Sequence, residues 1–82
     1  MQQSAVLEKV TKILTPFAKN ASALSSLSLD THILDDLKVN SARLVDVVLG
    51  FEDEFGIEIA DEDVDAVNTV GDAVRLIQSK LG

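Results

Sequence analysis

Ser41-Ala42-Arg43-Leu44-Val45-Asp46-Val47-Val48-Leu49-Gly50-Phe51-Glu52-Asp53-Glu54-Phe55 has two apolar sides when wound as a helix. At about 100° per residue, Leu44, Val47, Val48, Phe51 and Phe55 share one broad side, wide enough to enter a core. Nearly opposite lies a narrower stripe of Ala42, Val45 and Leu49, edged by Asp46 and Asp53 on one flank and by Glu52 on the other. Apolar contact in the middle with charge at the rim is the pattern of a small docking surface. The competing reading is a solvated face with scattered apolar residues. Gly50 inside this helix costs about 0.5–1 kcal/mol relative to alanine, so either another element comes close there or the helix bends. Gly56 suits the left-handed position that ends a helix.

Ser41 opens that helix and has two readings. It is a plain N-cap, or it is an attachment point for a phosphate, which unpaired amides and the helix dipole favour at such a place. The residues alone leave both open. Arg43, a turn or less away, can pair with a phosphate there or weaken the approach of a basic modifying enzyme.

Working outward, Val6, Val10, Ile13, Leu14 and Phe17 recur at the spacing of one helix face, which predicts a first helix over residues 4 to about 18. Ser4 is its expected N-cap and Pro16 brings a stop or bend. Residues 19–40 form a long connection rich in Ser, Asn and Asp, expected to be pinned by its leucines and by Ile33. His32 lies within it, with no second ligand or nucleophile nearby in sequence, and reads as a surface or capping residue. Ile57-Glu58-Ile59 reads as a short extended link. Asp61 is the expected cap of a brief helix over 62–67, and Thr69 with Asp72 resembles a capping box for a last helix with Val70, Ala73, Val74, Ile77 and Leu81 on one face. The expected architecture is all-α: a small four-helix bundle with a long first connection and a short third helix, forming one domain over 1–82.

Composition excludes several chemistries. With 82 residues the core is small and a large enclosed active site is disfavoured. An apolar share of 46% nevertheless suffices for a core, despite a net charge of -7. No cysteine and one histidine leave no thiolate or zinc site with the usual ligands. Asp61, Asp63, Asp65 and Asp72 imitate the spacing of a calcium loop, but Ala66 stands where its glycine belongs and Asp72 where a bidentate Glu belongs. No metal site is expected, although so many carboxylates leave loose divalent binding open. Ser41 lacks the Gly-x-Ser-x-Gly setting of a hydrolase nucleophile, so no catalytic residue is assigned. Ten acidic and no basic residues lie between Arg43 and Arg75, which repels nucleic acid and favours partners with basic patches. The N-terminus reads as neither an export signal nor a membrane span, so a soluble, cytoplasmic monomer is expected.

The run Asp36-Leu37-Lys38-Val39-Asn40-Ser41, then Val45-Asp46-Val47-Val48, Phe51-Glu52-Asp53-Glu54-Phe55-Gly56-Ile57-Glu58-Ile59, Asp61-Glu62-Asp63 and Asn68-Thr69-Val70-Gly71-Asp72-Ala73-Val74 closely resembles the bacterial acyl carrier proteins. The resemblance implies that Ser41 receives 4'-phosphopantetheine from coenzyme A through a phosphopantetheinyl transferase. It implies an arm whose thiol holds acyl groups as thioesters for acyl-transferring and chain-modifying enzymes of fatty-acid, lipid or related biosynthesis. It further implies that Asp46, Glu52 and Asp53 belong to an acidic recognition surface and that an acyl chain slips between helices lined by Val47, Phe51 and Ile59. The family usually reads Asp-Ser-Leu where this chain has Asn40-Ser41-Ala42, and often has proline where this chain has Ala60; these departures fit a specialised member. An aminoacyl or peptidyl carrier and an unmodified acidic interaction module are the alternatives.

Overall fold

The structure is a computed structural model and describes residues 2–81. Its first helix, α1 (Gln3–Leu14), buries Val6, Val10 and Leu14 completely, one residue per turn on a single face. Ser4 does not cap it: the helix already starts at Gln3, with Gln2 at the cap position and no side-chain hydrogen bond. The far end stops at Leu14 rather than near residue 18. Pro16 has no N–H to extend the helical ladder, and Phe17 and Ala18 both donate their N–H to the Leu14 carbonyl in a closing turn.

The long connection holds an element that sequence spacing did not indicate, α2 (Ala21–Ser25). Asn20 caps it, accepting the Ala23 N–H at 3.3 Å, while its own side-chain amide donates to the Asp36 carbonyl at 2.9 Å. Further along, Ile33, Leu37 and Val39 are buried and tie the connection to the core, together with Leu24, Leu27 and Leu29 packed at its edge. Leu34, expected to help, is instead exposed. Backbone bonds finish the attachment: Ile33 N–H to Asn68 O, Val70 N–H to Thr31 O and Gly71 N–H to Leu29 O, at 2.8–3.0 Å. His32 is exposed, and its backbone N–H donates to the Asp36 carboxylate at 2.8 Å.

A 3₁₀ turn at Ser41–Arg43 leads directly into α3 (Leu44–Phe55), which buries Val47, Phe51 and Phe55. Gly56 ends it in the left-handed conformation, φ 63°, as the sequence requires. Gly50 is explained by close approach: a β-carbon there would lie 3.0 Å from Ile13 Cγ2 on α1. The brief α4 (Asp61–Asp65) is capped differently from expectation. Ala60 occupies the cap position and its N–H is held by the Asp63 carboxylate at 3.2 Å, while Asp61 is already helical.

The reciprocal box expected before the last helix, α5 (Val70–Leu81), is present. Thr69 Oγ1 accepts the Asp72 N–H at 3.0 Å, and the Asp72 carboxylate accepts the Thr69 N–H at 3.1 Å. Helix α5 buries Val70, Ala73, Val74 and Ile77, packing mainly on α1 and also on α3, so one apolar core joins the three long helices. The all-α architecture is as expected, with five α-helices among the described residues rather than four. No helix among them is long and apolar enough to cross a membrane.

Candidate functional site

The loop before α3 turns sharply at Lys38, whose φ of 59° is left-handed, and delivers Asn40 in extended conformation. Asn40 is the cap. Its side-chain oxygen accepts the Ala42 N–H at 2.9 Å and its carbonyl accepts the Arg43 N–H at 2.8 Å. Ser41 is therefore not the N-cap that sequence position allowed, because it already lies within the first turn. Asn caps at least as well as Ser, and here the Asn40 side chain takes the Ala42 N–H. Ser41 is exposed, so its hydroxyl stands at the positive end of α3 with the capping work done by its neighbour.

Below Ser41 the expected stripe faces solvent: Val45 is 65% and Leu49 52% exposed, and Ala42 is exposed as well. Its rim is less uniform than composition implied. Asp46 pairs with Arg43 at 3.3 Å, and one Glu52 oxygen accepts the Ile59 N–H at 2.9 Å, anchoring the link that follows α3. Asp53 is exposed and makes no ion pair among the described residues.

Behind the stripe, a cavity between α3, α4 and α5 is lined only by apolar side chains, among them Leu44, Val48, Phe51, Ile59, Val64 and Ile77. Its free interior is ≈ 10 Å³, about one water's worth of room. Phe51 and Ile59 line it. Val47 does not: it is fully buried elsewhere in the core, and the next residue, Val48, takes the place expected of it. One position along a helix turns a side chain by about 100°, so the two valines face different neighbours. A solvent-open groove of ≈ 300 Å³ runs along the same side, between Val45, Leu49 and Glu52 of α3 and Asp61 and Asp65 of α4. Val48, Ile59 and Val64 border both spaces, so these three side chains are the partition between groove and cavity.

The aspartates resembling a calcium loop do not converge, and no group of three or more potential ligands gathers among the described residues. Two of them, Asp63 and Asp72, find local partners instead. Asp63 binds Lys80 at 3.0 Å as well as the Ala60 N–H, and these two hold its carboxyl below the usual range, Lys80 contributing most. Asp72 accepts N–H groups from Asn68 and Thr69 and pairs with Arg75 at 2.7 Å; the Asn68 amide leads in lowering its pKa to about 2.

Comparison with known proteins bears on this geometry. The model of a domain described as the phosphopantetheine attachment site matches residues 7–77. The chain is 43% identical over 58 residues to an acyl carrier protein of Thermotoga maritima, covering 71% of this chain and 72% of the relative. Among solved structures, the acyl carrier protein of Enterococcus faecalis superposes with a TM-score of 0.79 at 39% identity, covering 98% of this chain and 99% of that one.

Proposed function

That this chain belongs to the acyl carrier protein family, through its phosphopantetheine attachment domain, is the premise from which we propose its function. It is a single-domain, non-catalytic cytoplasmic carrier that bears 4'-phosphopantetheine on Ser41 and presents acyl intermediates to the enzymes of fatty-acid or related acyl biosynthesis. The exposed hydroxyl of Ser41, released from capping by Asn40, carries this reading. The residues fit the group: an exposed oxygen to bear the phosphate, the amino-terminal 3₁₀ turn that leads into α3 around it, and the Arg43 cation two residues on in the same turn.

In loading, Ser41 Oγ forms a bond to the phosphorus that joins pantetheine to the nucleotide in coenzyme A, the bond to adenosine 3',5'-bisphosphate breaks, and the serine proton leaves to a base of the transferase. The thiol of the bound arm supplies the thioester chemistry. This chain's own residues do the rest. Ala42, Val45 and Leu49 offer an apolar contact to a partner, and Asp46, Glu52 and Asp53 steer its basic residues. The partition of Val48, Ile59 and Val64 gives an acyl chain a route to Phe51 and the cavity behind. An entirely apolar lining favours a fatty-acyl cargo over an aminoacyl or peptidyl one.

Incubation with coenzyme A and a broad-specificity phosphopantetheinyl transferase, followed by peptide mass spectrometry, tests the reading. A phosphopantetheine adduct on Ser41, lost in Ser41→Ala, is the expected result. Absence of an adduct with several transferases would leave an unmodified interaction module using the same stripe.

A further inference from the structure

Two grooves of opposite charge border this part of the chain: one is lined by Asn40 and Arg43, on either side of Ser41 in sequence, and the other by Val45 and residues beyond it. The one beside α4 contains the carboxylates of Glu52, Asp61 and Asp65 and no cation. The other, ≈ 420 Å³, lies between the end of α1 and the 3₁₀ turn; Pro16, Phe17 and Ala18 form one wall, Asn40 and Arg43 the other, with Lys19 at its margin and no carboxylate in its lining. Its walls are fixed to each other, because Lys19 and Asn20 donate their backbone N–H groups to the Leu37 carbonyl at 2.9 and 3.2 Å, three residues before Asn40. Elsewhere Lys9, Arg75 and Lys80 are neutralised by Glu54, Asp72 and Asp63, while Lys12 and Lys38, which make no ion pair among the described residues, lie outside this lining. Lys19 makes no ion pair among the described residues, and Arg43 touches Asp46 through a single nitrogen, leaving most of its five N–H donors for another anion.

We propose that this basic groove is a resting site for the first half of the phosphopantetheine arm, an inference that rests on the carrier function of Ser41. The chemistry of the arm matches the order of the lining. Its phosphodiester, fixed on the serine between Asn40 and Arg43, meets the Arg43 and Lys19 cations, and charge-assisted hydrogen bonds are the stronger kind. Next along the arm comes the pantoyl carbon with its two methyls, which suits Pro16 and Phe17. The acidic groove, which begins about a turn farther along at Val45, offers the same phosphate only carboxylates and no cation. Resting the arm here leaves the Val45–Leu49 stripe clear for a partner.

The test uses the full chain loaded with isotopically labelled phosphopantetheine. Peptide mass spectrometry first establishes the adduct on Ser41; then isotope-filtered nuclear Overhauser spectra are read for contacts between the pantoyl methyls and the Phe17 ring. The expected result is that these contacts are present in the loaded wild type and lost in loaded Lys19→Glu/Arg43→Glu, with the phosphorus relaxing as a freer group. Lys19→Glu alone, distant in sequence from the loading serine, should weaken them. Amide shifts of α5 report that both variants keep the fold. Loaded wild type without Phe17 contacts, or contacts that survive in the double variant, overturns the groove while the carrier function stands. No adduct on Ser41 overturns both.

Discussion

The two alternative readings of Ser41, cap and attachment point, come apart in the structure, because Asn40 does the capping. Asn40 holds the Ala42 N–H at 2.9 Å, so Asn40→Ala should lose about 0.5–2 kcal/mol of unfolding free energy, measured by urea titration. Ser41→Ala removes no cap and should change stability by less than about 0.5 kcal/mol, as an ordinary surface substitution does, while abolishing loading. A large loss of stability in Ser41→Ala would mean that the hydroxyl is structural after all. Asp72 makes the corresponding statement about pH. Its folded-state pKa of about 2 lies below the ordinary 3.8, so the stabilisation is complete above the unfolded value and is lost as pH falls through the folded one. Asp72→Ala should therefore lower Tm at pH 7, and the gap from wild type should close between about pH 4 and pH 2. A gap that persists at pH 2 would assign the loss to packing rather than to the ionised carboxylate.

Each long helix was legible from spacing because its buried residues recur once per turn, as Val6, Val10 and Leu14 do in α1. The same logic fails for α2, whose five residues bury no side chain completely and depend on Asn20 and on contacts with a distant stretch of chain. Helix ends were legible where a side chain or a glycine dictates them, as with Thr69, Asp72 and Gly56. They were not at Gln3, where no side chain caps the helix, nor at Ala60, whose own side chain cannot cap and whose N–H is held from Asp63. Glycine positions became clear only with neighbours in view. A β-carbon on Gly71 would fall 2.7 Å from the Leu29 carbonyl, which accepts the Gly71 N–H at 2.8 Å. Gly71→Ala must push backbone from backbone and should destabilise by about 1–3 kcal/mol, the usual range for overpacking. Gly50 faces a side chain instead, Ile13 Cγ2 at 3.0 Å, and a β-branched side chain on a helix has little freedom to turn away. Gly50→Ala should fail to deliver the roughly 1 kcal/mol expected from helix propensity, and should deliver it in an Ile13→Leu background, where that methyl is gone. Additive effects in this double-mutant cycle would remove Ile13 as the reason for the glycine.

Over the whole molecule, the exposed serine at the start of the helix, the exposed apolar stripe of α3 and the excess of acid were legible in sequence, because each depends on position along the chain. Which carboxylates are free and which valine meets the cavity depends on pairing across elements, and neither could be read from spacing. That pairing ranks the rim of the stripe. Asp46 is partly neutralised by Arg43, and Glu52 commits one oxygen to the Ile59 N–H, whereas Asp53 has no such partner among the described residues. Reversing Asp53 to Lys should therefore slow association with a basic transferase several-fold at low salt while leaving Tm unchanged. The effect belongs in the association rate because rim charges act on approach more than on the docked state, and it should shrink as salt shortens the Debye length from about 10 Å at 0.1 M to about 3 Å at 1 M. Glu52→Gln should behave differently, losing stability as well as charge, since a neutral amide is the weaker acceptor for the Ile59 N–H. Stopped-flow association at two salt concentrations, beside thermal melts of the same proteins, separates the two. An Asp53→Lys variant that dissociates faster but associates normally, at either salt, would place Asp53 inside the docked contact instead of at its rim.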